Sequence, residues 1–320
     1  MPRFFLKTVS ILTLATLAAC SGSHEHSSSS PDSLQSPLNA ALSTAAVAEE
    51  HLSLAENTER YQDQPDQPVK SVAQEPVSTF SIDVDTGSYA NVRRFLTNGE
   101  QPPKDAVRIE EIVNYFPYNY PLPTDEHPFA VHTETIDSPW QPEAKLIKIG
   151  IQAQDTAKKD LPPANLVFLV DVSGSMDAEN KLPLVQETLR ILTRQLRPQD
   201  KVTLITYSSG EDLVLPPTSG ADKETILNAI DKLRAGGATD GESALQMAYE
   251  QAQKAFVPNG INRILLATDG DFNVGVSDTE TLKSMVAEKR KSGISLSTLG
   301  FGTDNYNEEM MEQIADAGDG

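Results

Sequence analysis

Apolar and polar residues follow two different periods along residues 161–320. The runs 166–170 and 264–267 are continuously apolar, which is typical of strands buried on both faces. Elsewhere apolar side chains recur every three or four residues, which predicts amphipathic helices. We expect strands at 166–170, 202–207, 213–215, 264–267 and 294–299, and helices at 182–196, 226–233, 241–255, 279–291 and 308–317. This order predicts an α/β fold with a doubly wound, mostly parallel sheet flanked by helices.

Residues 78–160 show shorter patterns. Alternation of apolar and polar residues predicts strands at 80–85, 129–136 and 146–151, and helices are expected at 89–96 and 106–116. The second helix carries an apolar stripe formed by Val107, Ile109, Ile112, Val113 and Phe116. So few elements predict a partial, β-rich α+β domain that precedes the α/β domain of residues 161–320.

Residues 20–77 have the composition of a disordered tether. They are rich in Ser, Gln, Glu and Pro, and Tyr61 is their single aromatic residue. Such a segment cannot bury enough apolar surface to offset the entropy lost on ordering. We therefore expect a flexible spacer between the N-terminus and the folded part of the chain.

Residues 1–19 are predicted to be a signal peptide. Arg3 and Lys7 precede a mostly apolar run at 8–17, which is about half the length that spans a bilayer. The following Leu17-Ala18-Ala19-Cys20 resembles the lipobox of bacterial lipoproteins, in which cleavage precedes a lipid-modified cysteine. That resemblance implies lipidation of Cys20, and Ser21, in place of Asp, favours the outer membrane. No later segment is apolar enough to span a membrane.

Composition and charge exclude several classes of function. The 320 residues include 26 Lys and Arg against 46 Asp and Glu, a formal charge of −20, and no segment is basic enough to predict nucleic-acid binding. Cys20 is the single cysteine, which excludes an intrachain disulfide and a multi-cysteine zinc site. The pattern HExxH of zinc hydrolases and the phosphate-loop pattern GxxxxGK[ST] are both absent.

Polar motifs follow the predicted strands of the α/β domain. The first strand ends in Asp171-Val-Ser173-Gly-Ser175, a loop carries Thr239, and the strand at 264–267 leads into Thr268-Asp269-Gly270. Ligands of such sheets bind beyond the carboxyl ends of the strands. Hydroxyl and carboxylate oxygens without His or Cys suit a hard cation, Mg²⁺ above all. We expect this ion to keep waters held by Asp171 and Asp269, and to leave one position open.

The same residues, in this order and on these elements, resemble the metal-ion-dependent adhesion site of von Willebrand factor type A domains. The resemblance covers 164–320, and it implies that Asp171, Ser173, Ser175, Thr239 and Asp269 bind Mg²⁺ or Mn²⁺. It also implies that the open position takes a carboxylate from an Asp or Glu of a partner protein. More narrowly, residues 80–86, 106–111 and 269–276 are similar to a group of bacterial lipoproteins that carry this domain. In those proteins the chain continues, so we expect the domain at 161–320 to be truncated at its C-terminal end.

Other interpretations of the residues stay open at this stage. Asp269, Asp271, Asn273 and Glu280 partly fit a calcium-binding EF-hand loop, although Val274 stands where that loop needs Gly. Ser175 is a candidate nucleophile of an envelope hydrolase, although the pattern GxSxG is absent and no His follows residue 132. An envelope scaffold or chaperone-like accessory without a metal-gated ligand is a further alternative. The residues favour a non-enzymatic binding module.

The lipid anchor is tested by Cys20→Ser. Because two or more acyl chains hold a protein stably on a membrane, the variant should leave the membrane fraction or accumulate unprocessed. Fractionation and the intact mass of the mature protein measure this, with Ser23→Ala as the control that should behave like the wild type. Unchanged fractionation and an unchanged mature mass for Cys20→Ser would contradict the prediction.

Overall fold

The computed structural model describes residues 58–63, 68–79, 82, 84–239, 241–270 and 279–320. The predicted signal peptide, Cys20 and most of the predicted tether lie outside these residues, as do 271–278 of the EF-hand interpretation. In the described part of the chain, no helix is both long and apolar enough to cross a bilayer.

Within the described residues, strands form one small and one large sheet. The hairpin of β1 (Phe129–Asp137) and β2 (Lys145–Ala153) is antiparallel. The large sheet contains β3 (Ala164–Asp171), β4 (Lys201–Tyr207), β5 (Glu211–Ser219), β6 (Ile261–Thr268) and β7 (Ser295–Gly300) in the order β5-β4-β3-β6-β7. Only β5 runs antiparallel to its neighbour. The predicted α/β fold with a mostly parallel sheet is confirmed.

Helices cover both faces of this sheet. They are α3 (Leu182–Gln195), α4 (Lys223–Ile230), α5 (Glu242–Lys254), α6 (Thr279–Arg290) and α7 (Glu308–Ala317), and two further helices, α1 (Gly87–Thr97) and α2 (Ile109–Tyr115), precede the sheet in the chain. Phe168 and Val170 of β3 pack with α3 and α4, whereas Val167 and Leu169 pack with α5, α6 and α7. Because successive side chains of a strand point to opposite faces, the continuous apolar run of β3 fills two cores at once. The doubly wound arrangement follows from this run.

The edge strand β5 is longer than the sequence predicts. It extends beyond the predicted 213–215 and includes Pro216 and Pro217, where its register against β4 shifts. A proline lacks the N–H that a sheet ladder needs, so it is tolerated on an edge strand and not in the centre of a sheet. The two prolines therefore do not end the strand.

Residues 84–153 agree with the predictions only in part. The helix at 89–96 and the strands at 129–136 and 146–151 are present and slightly longer. The helix predicted at 106–116 is α2, which is shorter and follows a 3-10 turn at Lys104–Ala106. Its apolar stripe is largely exposed, and the buried side chain of α2 is Glu111. The strand predicted at 80–85 is not formed at Ile82, Val84 or Asp85, and its other residues lie outside the description.

Glu111 is buried because an arginine holds it. The guanidinium of Arg108 lies 2.7 Å from a carboxylate oxygen of Glu111, and it also pairs with Glu308 and Glu312 of α7. The second carboxylate oxygen of Glu111 accepts the backbone N–H of Ser88 at 2.8 Å. A charged side chain is buried at acceptable cost only when it is paired and hydrogen-bonded. Ion pairs, and not an apolar stripe, therefore attach α2 to the α/β domain.

Asp200, in the turn between α3 and β4, holds the amino-terminal end of β3 in place. Its carboxylate accepts the backbone N–H of Ala164 at 3.0 Å, the N–H of Arg197 at 2.7 Å and the Arg197 guanidinium at 2.8 Å. Burial raises the pKa of Asp200, but these hydrogen bonds outweigh it and hold the pKa below the usual value. Asp200 thus fixes the start of β3 against the end of α3.

Asp200→Ala should lower the free energy of unfolding by about 2 kcal/mol, because two backbone donors and Arg197 lose their charged acceptor. Asp155→Ala, which removes an exposed carboxylate before β3, is the control and should change it little. Urea unfolding measures both. Since the folded-state pKa of Asp200 is lowered, its stabilisation is present above the unfolded pKa and is lost as pH falls through the folded pKa. An equal loss for both variants would contradict the role assigned to Asp200.

Candidate metal centre

The pairing of β3 with β6 brings two of the predicted site residues to one edge of the sheet. The strands are adjacent and parallel, and Asp171 and Asp269 stand at their carboxyl ends. After β3 the chain enters α3 on one face, and after β6 it enters α6 on the other. Such a switch of direction opens a crevice in which doubly wound proteins bind ligands.

Asp171 is fully buried and is held by neutral hydrogen-bond donors. One oxygen accepts the backbone N–H of Ser173 at 2.8 Å, and the other accepts the hydroxyls of Thr268 at 3.0 Å and Tyr207 at 3.3 Å. Burial raises the pKa of Asp171, and the nearby charge of Asp269 raises it further. Among the described residues no cation forms an ion pair with Asp171. Its carboxylate is oriented, but its charge is not compensated.

The two predicted serines lie together on the loop after β3. Their hydroxyl oxygens are 3.0 Å apart. Residues Gly174–Met176 form a 3-10 turn, and the fully buried Met176 anchors this turn in the core beside α3. Ser173 is buried, whereas Ser175 is exposed to solvent. The loop therefore presents one hydroxyl from inside the site and one at its opening.

The loop that carries Thr239 is fastened to the serine loop through its backbone. The N–H of Gly236 donates to the carbonyl of Val172 at 2.7 Å, and the N–H of Gly174 donates to the carbonyl of Gly237 at 3.0 Å. Thr239 follows two residues later and is half-buried. The structure thus brings the third predicted loop to the same edge of the sheet.

Asp269 is also fully buried, but it has a different environment from Asp171. One of its oxygens accepts the Lys181 ammonium at 2.9 Å and the side-chain amide of Asn305 at 3.1 Å. Burial raises the pKa of Asp269, but hydrogen bonds from Asn305, Lys181 and Ser175 outweigh it and hold the pKa below the usual value. The carboxylate is therefore ionised and already has a cationic neighbour.

Sequence reasoning gave no role in the site to four side chains around the two aspartates. They are Lys181, Tyr207, Thr268 and Asn305. Tyr207 ends the predicted strand at 202–207 and Thr268 directly follows the one at 264–267, so the strand pattern could have predicted that both lie beside the site. Asn305 follows β7, the neighbour of β6, and the carboxyl ends of parallel strands share one edge. Lys181 directly precedes the predicted helix at 182–196, a position that gave no signal.

The residues present fit a hard divalent cation. Asp171 has no cationic partner among the described residues, and a buried carboxylate without a counter-charge is costly. The adjacent oxygens of Ser173 and Ser175 are of the type that Mg²⁺ and Mn²⁺ accept. In the described part of the chain no group of three His, Cys, Asp or Glu side chains converges. Any such cation would therefore rely on hydroxyl as well as carboxylate oxygens.

The fold and this oxygen-lined crevice define the class: an α/β, doubly wound domain with a candidate cation site at the carboxyl edge of its sheet. The chain matches two family models. Residues 165–320 match the von Willebrand factor type A domain, and residues 55–148 match a model described as von Willebrand factor. Residues 165–320 therefore belong to the von Willebrand factor type A domain family.

Curated proteins from bacteria and animals are similar to this chain. The uncharacterized protein YfbK of Escherichia coli is 52% identical over 82% of the chain and 47% of its own length. Human inter-alpha-trypsin inhibitor heavy chain H4 is 32% identical over 44% of the chain and 16% of its own length. Among solved structures, the von Willebrand factor type A protein from Catenulispora acidiphila has a TM-score of 0.44 at 18% identity, covering 63% of this chain and 46% of that one. The chain spans less than half the length of each of these proteins.

The neighbouring glycines of the Thr239 loop provide a matched test of how that loop is placed. Gly237 has φ +91°, and a Cβ there would lie 2.8 Å from the Ser209 hydroxyl and 2.9 Å from that of Ser208. Gly237→Ala should therefore cost about 1–3 kcal/mol of stability and displace the loop. A Cβ on Gly236 meets nothing within 4 Å, so Gly236→Ala should stay within about 0.5 kcal/mol of the wild type. Urea unfolding of both variants decides, and equal effects would contradict this geometry.

Proposed function

We propose that the chain is a membrane-anchored, Mg²⁺-dependent protein-binding module of the adhesion type. Mg²⁺ (or Mn²⁺) is held by Asp171, Ser173, Ser175, Thr239 and Asp269, and it coordinates an Asp or Glu of a partner protein. The observation that carries the proposal is the burial of two carboxylates beside paired serine hydroxyls, one of which is exposed. The exposed Ser175 gives a partner access to the site.

Each residue has a definable task in this proposal. A bound divalent cation supplies a local positive centre that attracts a carboxylate. Ser173 and Ser175 offer neutral oxygens, and Thr239 is proposed as a third neutral donor. Asp171 and Asp269 contribute charge and hold water, since their own oxygens are fixed by hydrogen bonds from Thr268 and Lys181. Neutral direct ligands keep the cation electrophilic enough to accept a partner's carboxylate.

We place this module in the bacterial cell envelope, attached by lipid on Cys20 and most consistently at the outer membrane. The lipobox-like sequence before Cys20 and the acidic composition support this placement and argue against a nucleic-acid partner. The names of the relatives above indicate no catalytic activity, and we propose that this chain is a binding module and not an enzyme.

A hydrolase is less well supported than a binding module. A nucleophilic Ser175 needs a general base within hydrogen-bonding reach. His132, one of the two described histidines, stacks on Tyr120 and contacts the carbonyl of Pro121 in the β1–β2 region. The hydroxyl of Ser175 is instead bonded to Ser173 and Asp269. The lowered pKa of Asp269 makes its carboxylate a weak base, so these partners suit a ligand role for Ser175.

Titration calorimetry with Mg²⁺ and Mn²⁺ tests the metal site. Asp269→Asn is preferable to Asp269→Ala, because the alanine would leave the buried Lys181 ammonium without an acceptor at that position. Asp269→Asn should abolish metal binding, and Ser175→Ala should weaken it about tenfold through the loss of a neutral ligand. Asp155→Asn removes the same charge far from the site and should bind as the wild type does. Circular dichroism checks folding, and identical isotherms for all four proteins would contradict the assignment.

The alternative of an envelope scaffold without a metal-gated ligand makes a different prediction. Partners captured by crosslinking and pull-down from envelopes should be lost with EDTA and restored by Mg²⁺ if the proposed function holds. Asp269→Asn should capture none of them under either condition. Partners that persist in EDTA and with this variant would favour the scaffold.

A further inference from the structure

Lys181 is built into the candidate metal centre. Its ammonium lies 2.9 Å from a carboxylate oxygen of Asp269 and 2.9 Å from the side-chain carbonyl of Asn305, and the residue is 9% exposed. A lysine is rarely buried to this extent unless it is paired. The ion pair therefore belongs to the site and is not a surface contact.

The backbone of the loop after β7 leaves room for this side chain. Gly302 has φ +85°, and a Cβ on it would lie 2.5 Å from Cε and 2.8 Å from Cγ of Lys181. The aliphatic stem of Lys181 thus passes directly against a residue without a side chain. The packing of the loop before α3 against the loop after β7 therefore fixes the rotamer of Lys181 that directs its ammonium to Asp269.

Lys181 changes the charge that a cation meets. Asp171 and Asp269 together carry a formal charge of −2, and Lys181 reduces this to −1. With a divalent cation the group would carry +1, whereas without Lys181 it would be neutral. Charges this close interact strongly in a buried site, where solvent screening is weak. The lysine must therefore disfavour the metal and favour an anion at the loaded site.

We propose that Lys181 is an internal counter-cation of Asp269 that weakens divalent-metal binding and leaves the metal-loaded site positively charged, so that it selects an anionic partner group. This rests on the proposed function, since it assumes that the metal binds at Asp171 and Asp269. Lys181 positions and partly neutralises Asp269. Before a cation binds, its ammonium also compensates the charge of the buried Asp269 carboxylate.

The test is the affinity for Mg²⁺ alone, measured by titration calorimetry on the full chain. Lys181→Met keeps the length of the side chain and removes its charge, and it should bind Mg²⁺ at least tenfold more tightly than the wild type. Lys201→Met, an exposed position at the start of β4 and the opposite end of the sheet, removes the same charge and should bind as the wild type does. Lys181→Gln is the second neutral variant in case methionine perturbs folding.

Thermal unfolding gives a second readout. Without metal, Lys181→Met should melt below the wild type, because buried Asp269 loses its ion pair. Saturating Mg²⁺ should then raise its melting temperature more than that of the wild type, since tighter binding to the folded state stabilises it more. A purely structural lysine would lower stability without changing the affinity for Mg²⁺.

The outcomes separate this inference from the proposed function. Equal Mg²⁺ affinity in the wild type and both neutral variants would overturn the role of Lys181 and leave the metal site standing. Tighter Mg²⁺ binding by Lys181→Met than by the wild type, lost again when Asp269→Asn is added to Lys181→Met, would support both. No Mg²⁺ binding by the wild type or by either neutral variant would overturn the metal site and the inference with it.

Discussion

The burial of two carboxylates at the ends of adjacent parallel strands is the constraint on which the rest of the site depends. Asp171 and Asp269 are both fully buried, and the charge of each disfavours that of the other. Because β3 and β6 are adjacent and parallel, both strands end at the same edge of the sheet, and the two aspartates at those ends must lie close together. The surrounding loops must therefore supply hydrogen-bond donors and positive charge, and they do so unequally.

This inequality divides the site into two halves. Asp171 receives neutral donors from its own strand end and from β4 and β6, so its geometry is fixed while its charge stays available. Asp269 receives a cation from the residue before α3 and an amide from the loop after β7. One aspartate thus favours an added cation, and the other already has one. The balance between them is set by side chains that are not themselves metal-ligand candidates.

The periodicity of apolar residues predicted the strands and helices, because these depend on residues that are close in the sequence. The apolar run of β3 and the helical period of α3 gave the fold of 164–320, and the polar ends of β3 and β6 gave the candidate ligands. Contacts between distant segments were not predictable in this way. Lys181 reaches Asp269 only because the backbone at Gly302 gives it room, and Glu111 is buried only because Arg108 and α7 meet it. Lys181 and Glu111 are charged residues, and the sequence pattern alone would place both on the solvent-exposed surface.

The described residues before α1 contribute to the support of the site. The N–H of Thr58 donates to the carbonyl of Asp304 at 2.6 Å, and the N–H of Arg60 donates to that of Tyr306 at 2.9 Å. These bonds bracket Asn305, whose side chain contacts both Lys181 and Asp269. A loop held on both sides of one residue leaves that residue little freedom to move. Residues 58–60, which the sequence assigns to the predicted tether, therefore contact the loop that orients Asp269.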